Sequence, residues 1–116
     1  MDNTIQERFF TYRERLNRQP YLLRNIILWL VNVIAAFFLD QDMSLLVIVG
    51  GIISIIAGVS NIMLTIRRLH DLNKSGWWIL LFLIPIVNVI FYLYVYLKKG
   101  TTGPNDYGPD PLDGVY

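Results

Sequence analysis

His70 stands beside Asp71 in the stretch Arg67-Arg68-Leu69-His70-Asp71, with Lys74 close behind, and these side chains are the ones best suited to chemistry. A histidine next to a carboxylate can titrate near neutrality and pass a proton. Adjacent residues on a helix do not face each other, however, which argues against a working pair. The structural role is preferred: Arg67, Arg68 and His70 suit the negative C-terminal end of a helix. Asp71 is then expected to pair with Arg67 or with an arginine from the N-terminal segment, and Asn73 to close the helix. No catalytic residue is assigned. With one histidine and no cysteine, the chain also lacks a clustered ligand set for a metal, and no cofactor is expected.

These polar residues are flanked by apolar runs that must position them. The chain of 116 residues is 54% hydrophobic and only 16% charged, against about 25% charged in soluble domains. A short chain buries a small fraction of its surface, so this much apolar surface calls for lipid as its solvent. Residues 21–39, 43–66 and 77–97 are each of the length a transmembrane helix needs, about 20 residues. The expected fold is all-α: an integral membrane three-helix bundle with an N-terminal amphipathic interfacial helix within residues 1–20 and an irregular tail over 98–116. Thr4 and Glu7 fit a capping box at the start of the interfacial helix. Ile5, Phe9, Tyr12 and Leu16 would then form its apolar stripe over residues 3–19.

Along the second run Gly50, Ser54, Gly58 and Asn61 recur at steps of four, four and three, a small-residue seam suited to helix packing in lipid. Gly58→Leu is therefore expected to disrupt assembly. Asn32, Ser54 and Asn88 fall at similar depth, and at least two of them are expected to meet as partners in a polar layer. Asp42 is a suitable N-cap for the second helix. Trp77 and Trp78 are read as interface anchors at the start of the third run, with Tyr92 and Tyr96 marking its other end. Pro85 and Asn88 interrupt that run.

Arg8, Arg13, Arg15, Arg18 and Arg24 lie at or before the start of the first run, and Arg67, Arg68 and Lys74 lie between the second and third. By the positive-inside rule, the N-terminus and the 67–76 loop face the cytoplasm. Three crossings, the favoured arrangement, put the tail and Lys98 and Lys99 outside. The alternative is a re-entrant hairpin turning at Pro85 to Asn88, which would keep all ten Lys/Arg inside.

Arg67-Arg68-Leu69-His70-Asp71, followed by Lys74-Ser75-Gly76-Trp77-Trp78, closely resembles the RRLHD…SGWW signature of the bacterial domain-of-unknown-function 805 family. Arg15 to Tyr21 is similar to that family's opening motif, and Gly103-Pro104-Asn105-Asp106-Tyr107-Gly108-Pro109-Asp110-Pro111 to its tail motif, in which Asn105, Tyr107, Gly108 and Pro111 stand out. Glu14, Leu22 and Asp106 depart from the family pattern. The resemblance implies a small multi-pass inner-membrane protein whose activity is not established. A structural, interaction or accessory role is thus expected, with the bilayer, its anionic headgroups and a second copy or another membrane protein as partners. Arg15, Arg18, Arg67, Arg68, His70, Asp71 and Lys74 are the candidate lipid or partner contacts. The other reading is a membrane-embedded enzyme or transporter that handles an anionic lipid or solute through the RRLHD loop. Nucleic acid is not expected as a partner, because the basic residues adjoin apolar spans and no reading motif is present.

Overall fold

The computed structural model describes residues 4–112. Among these the fold is helical, with one isolated bridge between Asn105 and Gly108. The start of the expected first helix at residue 3 and the last four residues of the tail lie outside the described residues.

Helix α1 spans only Ile5–Phe9. Its N-cap forms as the sequence suggests, the Thr4 hydroxyl accepting from the Glu7 N–H at 3.1 Å. The expected continuation to residue 19 is corrected. Glu14 takes a positive φ of 70°, and the Leu16 N–H donates to the Arg67 carbonyl at 3.1 Å. A helix through this stretch would keep Arg15 and Leu16 from the end of the third helix, where both are buried.

Helices α2, Arg18–Leu39, and α3, Ser44–Asp71, form an antiparallel pair joined by a short turn. Among the described residues these are the two helices long and apolar enough to cross a membrane. The N-cap of α3 is Met43 rather than the expected Asp42. The helix also runs past the expected end at 66, through the whole of Arg67-Arg68-Leu69-His70-Asp71. It closes with Asn73 in the left-handed region, at φ 59°, and with a bond from the Lys74 N–H to the Leu69 carbonyl at 2.9 Å. Asn73 therefore ends the helix as expected.

The α2–α3 contact is close at Gly50, where an added Cβ would lie 2.8 Å from the Phe38 Cβ and 2.9 Å from the Ala35 carbonyl oxygen. Ala57, Ser60 and Leu64 continue the buried face. Gly58 is exposed, and an added Cβ there would meet nothing within 4 Å. Ser54 is half-buried beside this seam. Gly50→Leu is accordingly expected to cost about 1–3 kcal/mol or more by overpacking, while Gly58→Leu leaves the folded chain intact. Detergent-resistant thermal unfolding of the two variants checks the contrast. Equal losses would contradict it.

Asn61 of the expected seam does bond across the helix contact, but among the described residues Asn32, Ser54 and Asn88 do not form the expected layer of partners. Asn61 donates to the Asn25 side-chain oxygen, and Tyr21 shares a hydrogen bond with Thr65 at 3.0 Å. Asn32 spends its amide on the Leu28 carbonyl of its own helix at 3.0 Å. The backbone N–H of Asn88 returns to the Ile84 carbonyl at 2.9 Å.

The third run is not one helix. A 3-10 helix covers Gly76–Leu83, the chain breaks at 84–86, and α4 covers Val87–Leu97. Proline pushes its predecessor out of the helical region, and Ile84 is extended at φ −94°, ψ 118°. Ile86 sits at φ 70°, ψ −54°, and the Val87 N–H reaches back to the Pro85 carbonyl at 2.8 Å. That is a γ-turn of the rare strained kind. The two arms pack face to face: the Phe82 ring lies 4.9 Å from Phe91 and 4.4 Å from Tyr92. The expectation of a continuous third helix is corrected to a hairpin. The expected placing of its aromatic ends on opposite boundaries falls with it, because Lys74 Nζ lies over both Trp78, at 4.8 Å, and Tyr94, at 5.9 Å.

Candidate functional site

The hairpin returns the chain to the C-terminal end of α3, where the last turn of that helix meets the N-terminal segment and the tail. Arg68 is fully buried. Its Nε donates to the Val95 carbonyl at 2.8 Å and its Nη1 to Asp71 Oδ2 at 2.7 Å, with a longer bond to Leu16 at 3.4 Å. Its Nη2 donates to the Lys98 carbonyl. One guanidinium thus ties α4 and the start of the tail to α3.

Arg15 approaches the other carboxylate oxygen, with Nε donating to Asp71 Oδ1 at 3.1 Å and Nη2 lying 3.0 Å from it. Its remaining donors hold the tail: Nη1 bonds the Gly103 carbonyl at 2.7 Å and the Gly108 carbonyl at 3.3 Å, and Nη2 bonds that of Thr101. Asp71 also accepts from the Thr101 N–H through its backbone carbonyl, at 2.8 Å. The expected pairing of Asp71 with an N-terminal arginine is met by Arg15, and Arg68 is its second partner. Charge-assisted bonds of this kind are the strong ones, and here they leave few donors uncommitted.

His70 has a separate task. Its Nδ1 lies 3.0 Å from the Glu14 carbonyl. A carbonyl only accepts, so Nδ1 carries the proton. The imidazole stacks on Tyr107 at 4.1 Å with 5° between the planes, while Asn105 donates to the His70 carbonyl at 2.9 Å. The Asp106 N–H bonds the Asn73 side chain at 3.1 Å. The tail is irregular, as expected, and docked through the residues of its motif. Asp110 supports its shape by accepting from the Gly103 and Leu112 N–H groups, at 2.8 and 2.9 Å. Pro111 lies at its exposed end.

Arg15, Arg67 and Arg68, expected on an open basic face, are instead buried and cannot meet headgroups directly. Arg18 is exposed, although its Nη1 bonds the Leu97 carbonyl at 2.9 Å. Trp77 is 79% exposed, whereas Tyr96 is half-buried with its ring 4.8 Å from Tyr21. Sequence reasoning missed Leu16 and Gly100, which touch the network through backbone and shape. It also missed the Asn25–Asn61 and Tyr21–Thr65 contacts. Asn61 is named by its place on the seam; the polar character of Asn25, Tyr21 and Thr65 within apolar runs is the signal that could have supplied the partners.

A cavity of about 180 Å³ adjoins Asp71, lined also by residues 17–19, 99–101, Asp110 and Leu112. Among the described residues no three His, Asp or Glu side chains come together as a metal site needs.

The family model described as "Protein of unknown function (DUF805)" matches residues 9–109, which takes in the whole network from Arg15 to Gly108. The chain belongs to this family. It is 33% identical over 115 residues to the inner membrane protein YhaH of Escherichia coli K12, with 92% of each chain covered. It is 47% identical over 51 residues to the inner membrane protein YhaI of the same strain, covering 44% of this chain and 43% of that one. No solved structure matches significantly. The DUF805 motifs noted in the sequence are therefore the segments that the fold brings together: the opening motif supplies Arg15, the central motif Arg68 to Asp71, and the tail motif the carbonyls and Tyr107.

Proposed function

We propose that this DUF805 protein is a small structural or interaction protein of the bacterial inner membrane, self-associating or serving as an accessory subunit. Two helices cross the bilayer, the hairpin of residues 76–97 dips in from one side, and the three motifs make a folded cap on that side. The observation that carries this reading is Asp71 held between two buried guanidiniums whose other donors are spent on backbone carbonyls. A carboxylate so engaged serves assembly better than proton transfer.

The charge pattern supports a cytoplasmic cap. With the third run folded back, every Lys and Arg belongs to the cap end or the segments leading into it, and the opposite turn offers only Asp40 and Asp42. Reporter fusions at both termini test the topology: both are expected to report cytoplasm. A C-terminal reporter active only outside would overturn it.

A second reading, handling of a small anionic lipid or solute, draws support from the cavity beside Asp71, because Arg18 and Lys99 line it. Two carboxylates line it as well, which lowers its attraction for anions. The structural reading is favoured.

A further inference from the structure

A second cavity, remote from the Asp71 network, lies between α1 and the two long helices. Phe9 and Phe10 form one wall, Leu28 and Val31 of α2 another, and Ile53 and Ile56 of α3 a third, enclosing about 330 Å³. Ser60 also lines it, but its hydroxyl donates to the Phe9 carbonyl at 2.7 Å, so the walls offer no polar group to a ligand. Water would find no partners there.

Helix α1 is fixed over this cavity by side chains that take the carbonyls at its C-terminal end. Arg67 Nη1 bonds the Glu7 carbonyl at 3.1 Å, Arg24 Nη1 the Arg8 carbonyl at 3.0 Å, and Ser60 that of Phe9. The strap stands without help from the cavity's contents. Ser60 lies about 9 Å along α3 from Ile66 at 1.5 Å per residue, a depth at which interfacial helices bury their apolar face. Arg24 Nη1, on the Arg8 carbonyl, lies one residue along the chain from the Phe9 wall, and the Arg8 side chain is exposed on α1, so these two arginines supply the charge beside the cavity.

We propose that this cavity seats one acyl chain of a bilayer phospholipid whose anionic headgroup lies over Arg8 and Arg24. The inference rests on the reading that α2 and α3 cross a bilayer. The apolar walls select a hydrocarbon chain, and the charge beside the cavity selects the headgroup.

The test uses the full chain reconstituted with phosphatidylglycerol or phosphatidylcholine bearing a diazirine in mid-chain, with labelled residues located by mass spectrometry. Labelling is expected to concentrate on Phe9, Val31 and Ile53. The anionic lipid should be preferred about thirtyfold, at about 1 kcal/mol for each of the two arginines, and Arg24→Gln should cut the preference about fivefold. Val31→Trp fills the cavity and should remove label from Ile53 while outward Ile48 and Ile55 keep theirs. Even labelling along α2 and α3 would overturn the inference and leave the crossing reading standing. Label on α1 with none on the long helices would overturn both. A photoreactive benzoylphenylalanine in place of Ile53 should give adducts of one phospholipid mass. Chain-to-chain adducts there would overturn the proposal in favour of a second copy.

Discussion

Asp71→Asn is expected to lower the stability of the folded chain by about 3–5 kcal/mol, the cost of leaving buried charges without their partner. The substitution keeps the shape of the side chain and removes its charge. Arg68 and Arg15, 0% and 4% exposed, would then face each other across a neutral amide. Water cannot screen them, and neither can turn away without giving up the carbonyls it binds. An exposed ion pair behaves differently, contributing about 0–1 kcal/mol. Chemical unfolding in detergent micelles, read together with protease cleavage of the tail, measures the effect. A loss below about 1 kcal/mol would mean that solvent reaches the network, and the account of the cap would fail. Arg15→Gln should cost less, because the Arg68–Asp71 bond survives it.

The sequence made the cap legible only in part, for reasons of distance and backbone. Arg15 and Asp71 are 56 residues apart; charge and family motif named both, but nothing local pairs them. Side-chain polarity changes at Ile66 while the backbone bonds continue to Asp71, so polarity alone ends α3 one turn too early. The small-residue seam drifted for a similar reason. At 3.6 residues per turn, the two steps of four from Gly50 to Gly58 rotate the face by about 80°. The heptads from Gly50 to Ala57 to Leu64 turn it by only about 20° each. Counted as α-helix, each arm of the re-entrant hairpin is short for its depth, which favours a crossing. The 3-10 arm changes that: eight residues at about 2.0 Å each match eleven α-helical residues at about 1.5 Å. Both arms reach about 16 Å, near half of a 30 Å hydrocarbon core.

Gly100→Ala is expected to release the tail while leaving the α2–α3 pair assembled. An added Cβ would lie 1.9 Å from Asp71 Oδ2 and 2.5 Å from its Cγ. No backbone strain is involved, so the effect is one of space. Such a contact is cheap when the obstructing atom ends a flexible side chain, but this carboxylate is pinned by two arginines. The backbone at residue 100 must therefore withdraw, and it carries with it the Thr101, Gly103 and Gly108 carbonyls that Arg15 binds. Gly103 and Gly108 differ in kind: both have positive φ and no atom within 4 Å of an added Cβ, so alanine there strains the turn without striking the network. Cleavage after residue 100 should accelerate in the Gly100→Ala chain while the helical signal of the long pair persists. The decisive comparison is a double-mutant cycle with Asp71→Ala. Removing the carboxylate removes the obstacle, so Gly100→Ala should cost much less in that background, with a coupling of about 0.5–3 kcal/mol. Additive losses would mean that Gly100 acts through something other than the Asp71 carboxylate.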